Sequence, residues 1–357
     1  MASYIEQLPV ELIGLVISCL DSVDYGSLRL ASKHIHSTTL DDFLRTFFAE
    51  FTTLLTPAAL QRTVDVSSHE LLAGSVRVLH ITHRRMRVLH QFDSQEHQRN
   101  QSAAEVVERI SQNLRPESVI GPLAYALRRC YNINSICFYL EGCAKPNWLM
   151  NRRENIDFQS NCFKLILEAV VESGVQLQEF STMGQDDTQC ATIPYFAFDF
   201  SIPFLHSLDT AFSNLCSLTI AINEGTIENP RVPGWANAIS RFISTASSLE
   251  SLTLIIEMWG PVPGCGVKIF HSLSQIPVLA QLRAVRINGG SFEEQDMATF
   301  ALRHADSLRR IRLESNQMMS GTWKSLLATL RKSKSLEHVH LEDPKGGGED
   351  TSIGPLY

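Results

Sequence analysis

The sequence predicts an α/β protein in two parts: a block of three short helices at the N-terminus, then an irregular solenoid with parallel strands on its concave face and helices outside. Three observations predict this fold. Residues 1–52 carry apolar stripes with helical spacing. A phrase of three apolar residues then recurs eight times. Helical stripes separate the phrases, and strands that alternate with helices without tight hairpin signals indicate parallel strands joined by crossovers.

The N-terminal block begins with a helix that Pro9 and Glu11 favour. Proline suits the first helical position, where its missing N–H costs nothing, and a glutamate in the first turn complements the helix dipole. An apolar stripe with helical spacing follows, and Asp21 ends this helix or caps the next one. The stripe consists of Leu12, Ile13, Val16, Ile17 and Leu20.

A second strong stripe lies between Leu40 and Phe51 and predicts an amphipathic helix over that stretch. Three short helices have too little interior to bury all the apolar surface of the block. Domains this small are marginal unless they dock on something, so a partner surface is expected on physical grounds.

The block resembles an F-box, most specifically in its opening Leu8-Pro9-Val10-Glu11-Leu12. The other matching positions are Ile17, Leu20, Asp24, Leu28, Leu30, Ala31, Ser32 and Lys33. The resemblance implies docking on the Skp-type linker of a cullin–RING ubiquitin ligase. The residues assigned to this docking surface are Leu8, Pro9, Leu12, Ile13, Ile17, Leu20, Leu28 and Leu30.

The rest of the chain carries a phrase with apolar residues at its first, fourth and sixth positions. The starts are separated by 57, 44, 38, 34, 33, 26 and 28 residues, which approaches the period of leucine-rich repeats. The third copy is weakened because Thr182 occupies its last apolar position. The eight copies start at Val76, Ile133, Leu177, Leu215, Leu249, Leu282, Leu308 and Leu336.

Two copies resemble leucine-rich repeats in a further respect. Asn223 and Asn316 stand eight residues after the first apolar position, and in that family this Asn satisfies backbone groups where the chain leaves the strand. The other copies lack it, so the array is irregular, and a doubly wound α/β domain is the alternative fold. The helical stripes between copies are Ile239, Phe242 and Ile243; Phe292, Met297, Phe300 and Ala301; and Trp323, Leu326, Leu327 and Leu330.

Domain boundaries follow from these patterns. A polar, arginine-bearing insertion at 83–101 is expected to be a solvated loop or helix extension, with a docking or phosphate-binding patch as the alternative. The predicted parts are the F-box-like block at 1–52, a helical linker at 53–74, the repeat array at 75–343 and a flexible tail at 344–357.

Composition indicates a globular protein, with 44% hydrophobic and 19% charged residues. A net charge of −7 and a pI near 6.0 argue against a nucleic-acid binder. The eight cysteines show no C-x-x-C spacing, so buried reduced thiols in a cytoplasmic or nuclear protein are expected. The run from Leu12 to Leu20 lacks preceding basic residues, and no run of eighteen apolar residues exists, so neither a signal peptide nor a membrane span is predicted.

Catalytic and cofactor motifs are missing from the sequence. His69-Glu70 begins like a zinc-protease helix, but Ala73 stands where the second histidine belongs. His338 and His340 share one face of a predicted strand, yet zinc would require further ligands. We therefore expect no catalysis, no metal and no cofactor.

The outward residues of the repeated phrase form the expected binding surface. They alternate with the apolar residues and point away from the core, and they are mostly basic in the last three copies. A solvated face without a role is one interpretation. The functional interpretation is a site for an acidic or phosphorylated segment of a partner, which Arg can bind bidentately. The residues assigned to this substrate surface are Arg286, Arg310, Arg312, Glu314, His338 and His340.

These expectations combine into a substrate-recognition adaptor of a ubiquitin ligase, acting in the ubiquitin conjugation pathway and in protein degradation through proximity alone. Its partners would be the Skp-type linker, through it a cullin, and an unknown protein substrate, with no nucleic acid or membrane. The expected location is cytoplasmic, nuclear or both. The alternatives are a repeat scaffold or protein-binding inhibitor that works without a ubiquitin ligase, and an enzyme whose site the motifs do not reveal.

Overall fold

The fold is α/β and contains one large parallel sheet, as the sequence predicted. A computed structural model describes residues 4–84, 114–141, 152–184, 191–223, 234–257 and 265–347. The α-helices in these ranges are α1 (Val10–Ser18), α2 (Ser22–Ala31), α3 (Lys33–Thr38), α4 (Leu40–Phe47), α5 (Pro57–Ser68), α6 (Glu70–Ser75), α7 (Pro116–Arg129), α8 (Arg152–Ser173), α9 (Ile202–Ala211), α10 (Trp235–Ser244), α11 (Cys265–Ser274), α12 (Glu294–Arg303) and α13 (Trp323–Leu330). Short 3-10 helices cover Tyr4–Gln7 and Tyr195–Phe198.

The strands divide into a ten-stranded sheet and a three-stranded sheet. The large sheet contains β1 (Glu50–Leu54), β2 (Val78–Arg84), β3 (Ser135–Glu141), β4 (Glu179–Ser181), β5 (Thr192–Pro194), β6 (Ser217–Asn223), β7 (Ser251–Glu257), β8 (Ala284–Gly289), β10 (Arg310–Glu314) and β12 (His338–Glu342). The small sheet contains β9 (Ser291–Glu293), β11 (Gln317–Ser320) and β13 (Lys345–Gly346).

The N-terminal block holds four α-helices where the sequence predicted three. The additional helix is α3, which arises because Ser32 interrupts the chain between α2 and the aromatic helix. Ser32 has extended backbone angles, and its hydroxyl accepts hydrogen bonds from the backbone N–H groups of His34 and Ile35. Such an N-cap starts a new helix, because it satisfies donors that have no partner within the helix.

The aromatic helix is shorter than predicted. It was expected to reach Phe51 but ends at Phe47, and β1 begins at Glu50. Phe51 continues the helical spacing only by coincidence. It lies on a strand that pairs in parallel with β2 and packs against the hydrophobic core. Residues 53–54 of the predicted helical linker belong to this strand, whereas the two predicted linker helices are present as α5 and α6.

All eight copies of the apolar phrase coincide with strands of the large sheet. The first apolar residue of each copy lies two residues before its strand, as Leu215 does before β6 and Leu308 before β10. Neighbouring strands are parallel, and their order is β1-β2-β3-β4-β6-β7-β8-β10-β12, with β5 beside β6. This order follows the chain without reversal, so the described path has no switch point of the kind that defines a doubly wound sheet.

Thr182, the polar residue in the weak third copy, directly follows β4, which is only three residues long. It is fully buried at the end of β4, and its hydroxyl accepts a hydrogen bond of 2.8 Å from the backbone N–H of Ala221. Its own N–H donates to the carbonyl of Thr219, and β5 then pairs with the second half of β6. The hydroxyl thus satisfies a backbone group that the short strand β4 does not reach.

The core is one continuous cluster of buried residues from the strands and the helices. A group of phenylalanines lies at its centre. The ring of Phe163 on α8 has its centroid 5.2 Å from that of Phe198, 5.8 Å from Phe242 and 6.2 Å from both Phe180 and Phe200. Tilted and edge-on arrangements of this kind add to the free energy gained by burying the rings.

The residues of the predicted helical stripes lie on helices with one exception. Phe292 was assigned to the stripe of Met297 and Phe300, but it lies on β9. Its ring contacts Phe270 and Trp323 edge-on at centroid distances of 5.3 and 5.6 Å. The last apolar residue before a helix can therefore belong to a short strand and still pack with the helices.

The small sheet depends on sharp turns at the ends of β8, β10 and β12. Gly289, Ser315 and Asp343 follow or end these strands and have positive φ angles of 75°, 51° and 48°. Asn316 is buried behind the middle turn, and its side-chain amide donates to the carbonyl of Gly289. The side chain of Asn316 thus satisfies one backbone carbonyl, at the end of the neighbouring strand β8, while its Oδ1 has no hydrogen-bond partner among the described residues.

Several expectations fall wholly or partly outside the described residues. The insertion at 83–101 is described only as far as Arg84, where β2 ends. Of the tail predicted at 344–357, the described part includes β13, so at least these residues are ordered into a strand; 348–357 lie outside. Within the described ranges, no helix has the length and apolar character that crossing a membrane requires.

His304 gives the array a specific pH dependence. Its buried ring donates from Nδ1 to the carbonyl of Phe300 at 2.8 Å, and Nε2 has no partner among the described residues. Burial lowers the pKa of His304 below its usual 6.5. The unfolded chain therefore takes up a proton near pH 6.5 while the folded chain does not, and stability that is complete above this pH is lost as the pH falls below it.

We expect the urea midpoint of the wild-type protein to be lower at about pH 5 than at about pH 7.5. His304→Gln should reduce this pH-dependent difference, because it removes the group whose protonation favours unfolding. His69→Gln, at an exposed position, should leave the difference unchanged. Equal pH dependence in the wild type and in His304→Gln would contradict this assignment.

Candidate functional site

Two surfaces stand out, and the first is an apolar face on α1 and α2. In α1 only Ile13 is buried, although the helix is apolar almost all round. Large apolar side chains therefore remain in contact with solvent, including Val23 at 73% and Leu30 at 88% of their full exposure. The exposed set, which we call the apolar face, is Val10, Leu12, Leu15, Val16, Val23 and Leu30.

Of the two helices that carry the apolar face, α2 is held by a small polar core. Arg29 is buried, donates from Nη1 to the carbonyl of Thr39 at 2.9 Å, and lies 3.9 Å from the centroid of the Phe43 ring. Tyr25 donates from its hydroxyl to the same carbonyl at 3.1 Å. A buried arginine is tolerated only when hydrogen bonds and a π-face replace its water. These contacts fix α2 against α4 and leave the outer side of α2 free.

The predicted docking residues separate into three groups on this block. Pro9, Leu12 and Leu30 are exposed, and Ile13 is 1% exposed, so it packs inside the block and presents no contact surface. The half-buried group is Leu8, Ile17, Leu20 and Leu28.

Four exposed residues of the apolar face were absent from the predicted docking set: Val10, Leu15, Val16 and Val23. A signal for them exists in the sequence. A short helix that is apolar all round must be covered on every side, by its own chain or by a partner. Counting only one stripe of α1 missed Val10 and Leu15, whereas Val16 belongs to that stripe but was left out of the docking set, and Val23 lies on α2.

The second surface is the open face of the large sheet, formed by the strand residues that alternate with the buried ones. In-register pairing aligns these residues into rows that cross the strands. From β6 to β12, the first row is Ser217, Ser251, Ala284, Arg310 and His338. The second row is Thr219, Thr253, Arg286, Arg312 and His340. The third row is Ala221, Ile255, Asn288, Glu314 and Glu342, of which Ala221 and Glu314 are buried.

The six residues predicted to bind substrate lie on three neighbouring strands, β8, β10 and β12. Glu314 is the centre of their hydrogen bonding. Its carboxylate accepts from Nε and Nη2 of Arg286 at 2.9 to 3.1 Å and from the side-chain amide of Asn288 at 3.1 Å. It also pairs with Arg312. The Glu314 side chain is 6% exposed, so both arginines share one nearly buried anion.

The ion pairs continue toward the last strand. Arg312 approaches Glu342 at 3.5 Å, and His340 lies 3.4 Å from the same carboxylate. Within the described ranges Arg310 forms no ion pair, although it is exposed. The cluster that the sequence suggested was mostly basic is therefore partly neutralised from within, and Arg310 is its uncommitted cation.

The described residues offer little for bond chemistry. A groove of about 590 Å³ lies along β1 and α5, and its ionisable lining residues are Arg62 and Asp65, without His or Cys. Burial raises the pKa of Cys130 and Cys137 to about 11, and that of Cys162 further still, so these thiols are unreactive. Cys19 and Cys216 are exposed, contrary to the general expectation of buried thiols. No described group of His, Cys, Asp or Glu residues is arranged to hold a metal ion.

Two Arg–Glu pairs allow a test of the Glu314 cluster: Arg286–Glu314 between β8 and β10, and Arg309–Glu337, whose residues directly precede β10 and β12. Glu314→Gln removes the shared anion and leaves Arg286 and Arg312 facing each other, so we expect a loss of about 2 kcal/mol, below the range for fully buried pairs because the arginines are partly exposed. Glu337→Gln breaks an exposed pair with Arg309 and should cost less than about 1 kcal/mol.

The measurement is the urea midpoint of each variant, at low and at high salt. Salt should reduce the effect of Glu337→Gln more than that of Glu314→Gln, because exposed pairs are screened and nearly buried ones are not. Equal losses in the two variants would show that Glu314 is not a structural anion.

Comparisons with known proteins identify no family for this chain. No protein-family model matches it, and no curated protein matches its sequence. The two surfaces therefore have to be interpreted from their own chemistry. One is the apolar face on the N-terminal helices, and the other is the set of rows of polar and charged side chains on the open face of the sheet.

Proposed function

We propose that the chain is a substrate-recognition adaptor of a cullin–RING ubiquitin ligase. Residues 1–52 would act as an F-box that docks on the Skp-type linker, and the rest as an irregular leucine-rich-repeat solenoid that holds a target protein. The apolar face on α1 and α2 is the observation that carries this proposal.

The apolar face supports docking on energetic grounds. Fully burying a Leu or Val side chain is worth about 1.5 to 3 kcal/mol, so covering six such residues would contribute several kcal/mol to an interface. Several large exposed apolar side chains on one small helical block are typical of protein–protein contacts. The resemblance of the opening Leu8-Pro9-Val10-Glu11-Leu12 to an F-box identifies the kind of partner.

The order of the large sheet supports the second half of the proposal. Strands that pair in the order of the chain, here with β5 set beside β6, make a quasi-one-dimensional array, and such arrays use their exposed strand face to bind other proteins. In this arrangement the protein breaks no bond itself. It raises the effective concentration of the target near the enzyme that transfers ubiquitin.

The docking test compares two leucines of similar exposure. Leu12 is 46% exposed on α1, and Leu302 is 45% exposed on α12. We expect Leu12→Asp, alone or with Leu30→Asp, to abolish co-purification with the Skp-type linker, since a carboxylate would be buried without a partner. Leu302→Asp should retain the linker at the wild-type level.

Circular dichroism and urea midpoints of the same variants show whether the chain remains folded. Ile13→Ala should differ from Leu12→Asp by lowering the stability of the N-terminal block, because Ile13 is buried. If Leu12→Asp with Leu30→Asp retains the linker fully, the docking assignment fails. If the wild-type chain captures no linker at all, a scaffold or inhibitor that works without a ligase becomes the better interpretation.

A further inference from the structure

A block of four hydroxyl groups lies on the open face next to the charged cluster. Ser217 and Ser251 belong to the first row, and Thr219 and Thr253 to the second, on the adjacent strands β6 and β7. All four are half-buried, and in the described structure none of the four hydroxyls has a hydrogen-bond partner. Such hydroxyls can donate to and accept from a ligand without displacing an internal contact.

In the first row, one small side chain separates these hydroxyls from Arg310. Ala284 lies between Ser251 and Arg310 in register, and its methyl group leaves space above the backbone of β8. In the second row the same strand carries Arg286, which Glu314 holds in place. The first row therefore holds a stretch of small side chains over β6, β7 and β8, which we call the trough, and this stretch meets the uncommitted guanidinium of Arg310 before the row ends at His338 on β12.

The charge of the cluster favours a carboxylate over a phosphate. Arg286, Arg310 and Arg312 face Glu314 and Glu342 on the same strands, which leaves one net positive charge when the histidines are neutral. A dianionic phosphate would meet the repulsion of both glutamates. A single carboxylate matches the one free guanidinium, which can bind it through two parallel hydrogen bonds.

We infer that the first row binds an extended acidic segment of a target protein, with a Glu or Asp side chain of that segment on Arg310 and its polar groups on the hydroxyls of β6 and β7. The inference rests on the proposed function for its biological meaning, but not for its chemistry. Five strands at about 4.8 Å spacing span about 19 Å, so the segment would contribute about six extended residues.

The test uses fluorescein-labelled hexapeptides of Ser and Gly in which none, one, two or three positions are Glu. Two matched sets carry Lys or phosphoserine at the same positions. Fluorescence anisotropy with the full-length chain should show binding that strengthens with Glu content and weakens with salt. Arg310→Gln should weaken the binding of the two-Glu peptide about tenfold, as expected for the loss of a charge-assisted pair.

Two variants serve as controls. Arg331→Gln removes the same charge from an exposed position after α13, away from the sheet, and should bind the peptides like the wild type. Ala284→Tyr fills the trough without a charge change and should weaken binding while Arg310 stays in place.

Three results would overturn the inference: equal binding of Glu and Lys peptides, equal effects of Arg310→Gln and Arg331→Gln, or binding of the phosphoserine peptides alone. The outcome is separable from the docking proposal, because no linker is present in the anisotropy assay. Arg310→Gln should also co-purify with the Skp-type linker at the wild-type level. Linker capture without peptide binding would leave the adaptor proposal standing and remove the acidic segment.

Discussion

In-register parallel pairing of strands that follow one another along the chain is the constraint on which the rest of the structure depends. Each copy of the apolar phrase places its buried residues beside those of the next copy, as Leu252 lies beside Leu218 and Val285. Because side chains alternate between the two faces of a strand, the same register also aligns the outward residues. One geometric condition therefore builds both a continuous core and an ordered outer surface.

The two ends of the molecule use apolar residues differently. In the array, strands and helices cover each other, and phenylalanines such as Phe163 and Phe242 are fully enclosed. In the N-terminal block, four short helices enclose little more than Ile13, Tyr25, Arg29, Ile35 and Leu44. Since a helix of about ten residues can hide only one narrow side against equally short neighbours, the surplus apolar surface remains outside. This contrast is the physical basis of the proposed docking role of the block and of the proposed presenting role of the array.

Much of the fold could be predicted because apolar spacing is a local property. All eight phrases are strands, and the stripes around Ile239 and Trp323 are helices. The errors arose where a local pattern was ambiguous. Phe51 matched a helical stripe but lies on β1, because pairing with β2 satisfies its backbone and packs its ring. Phe292 was misplaced for the same reason. Hydrogen bonding with a distant strand, which no local window contains, decided both cases.

For the candidate site, the sequence by itself determined which residues face outward on the last strands and that the first helices carry too much apolar surface. The tertiary structure decided what those residues do. It buried Ile13 and exposed Leu12, its direct neighbour, because consecutive residues of a helix point in directions about 100° apart and only the side of α1 that carries Ile13 is covered. It placed Glu314 between Arg286 and Arg312 and left Arg310 unpaired among the described residues. The sequence gives the sign of each side-chain charge. Which charges form pairs depends on strand register and on distances of a few ångströms, which only the packed sheet defines.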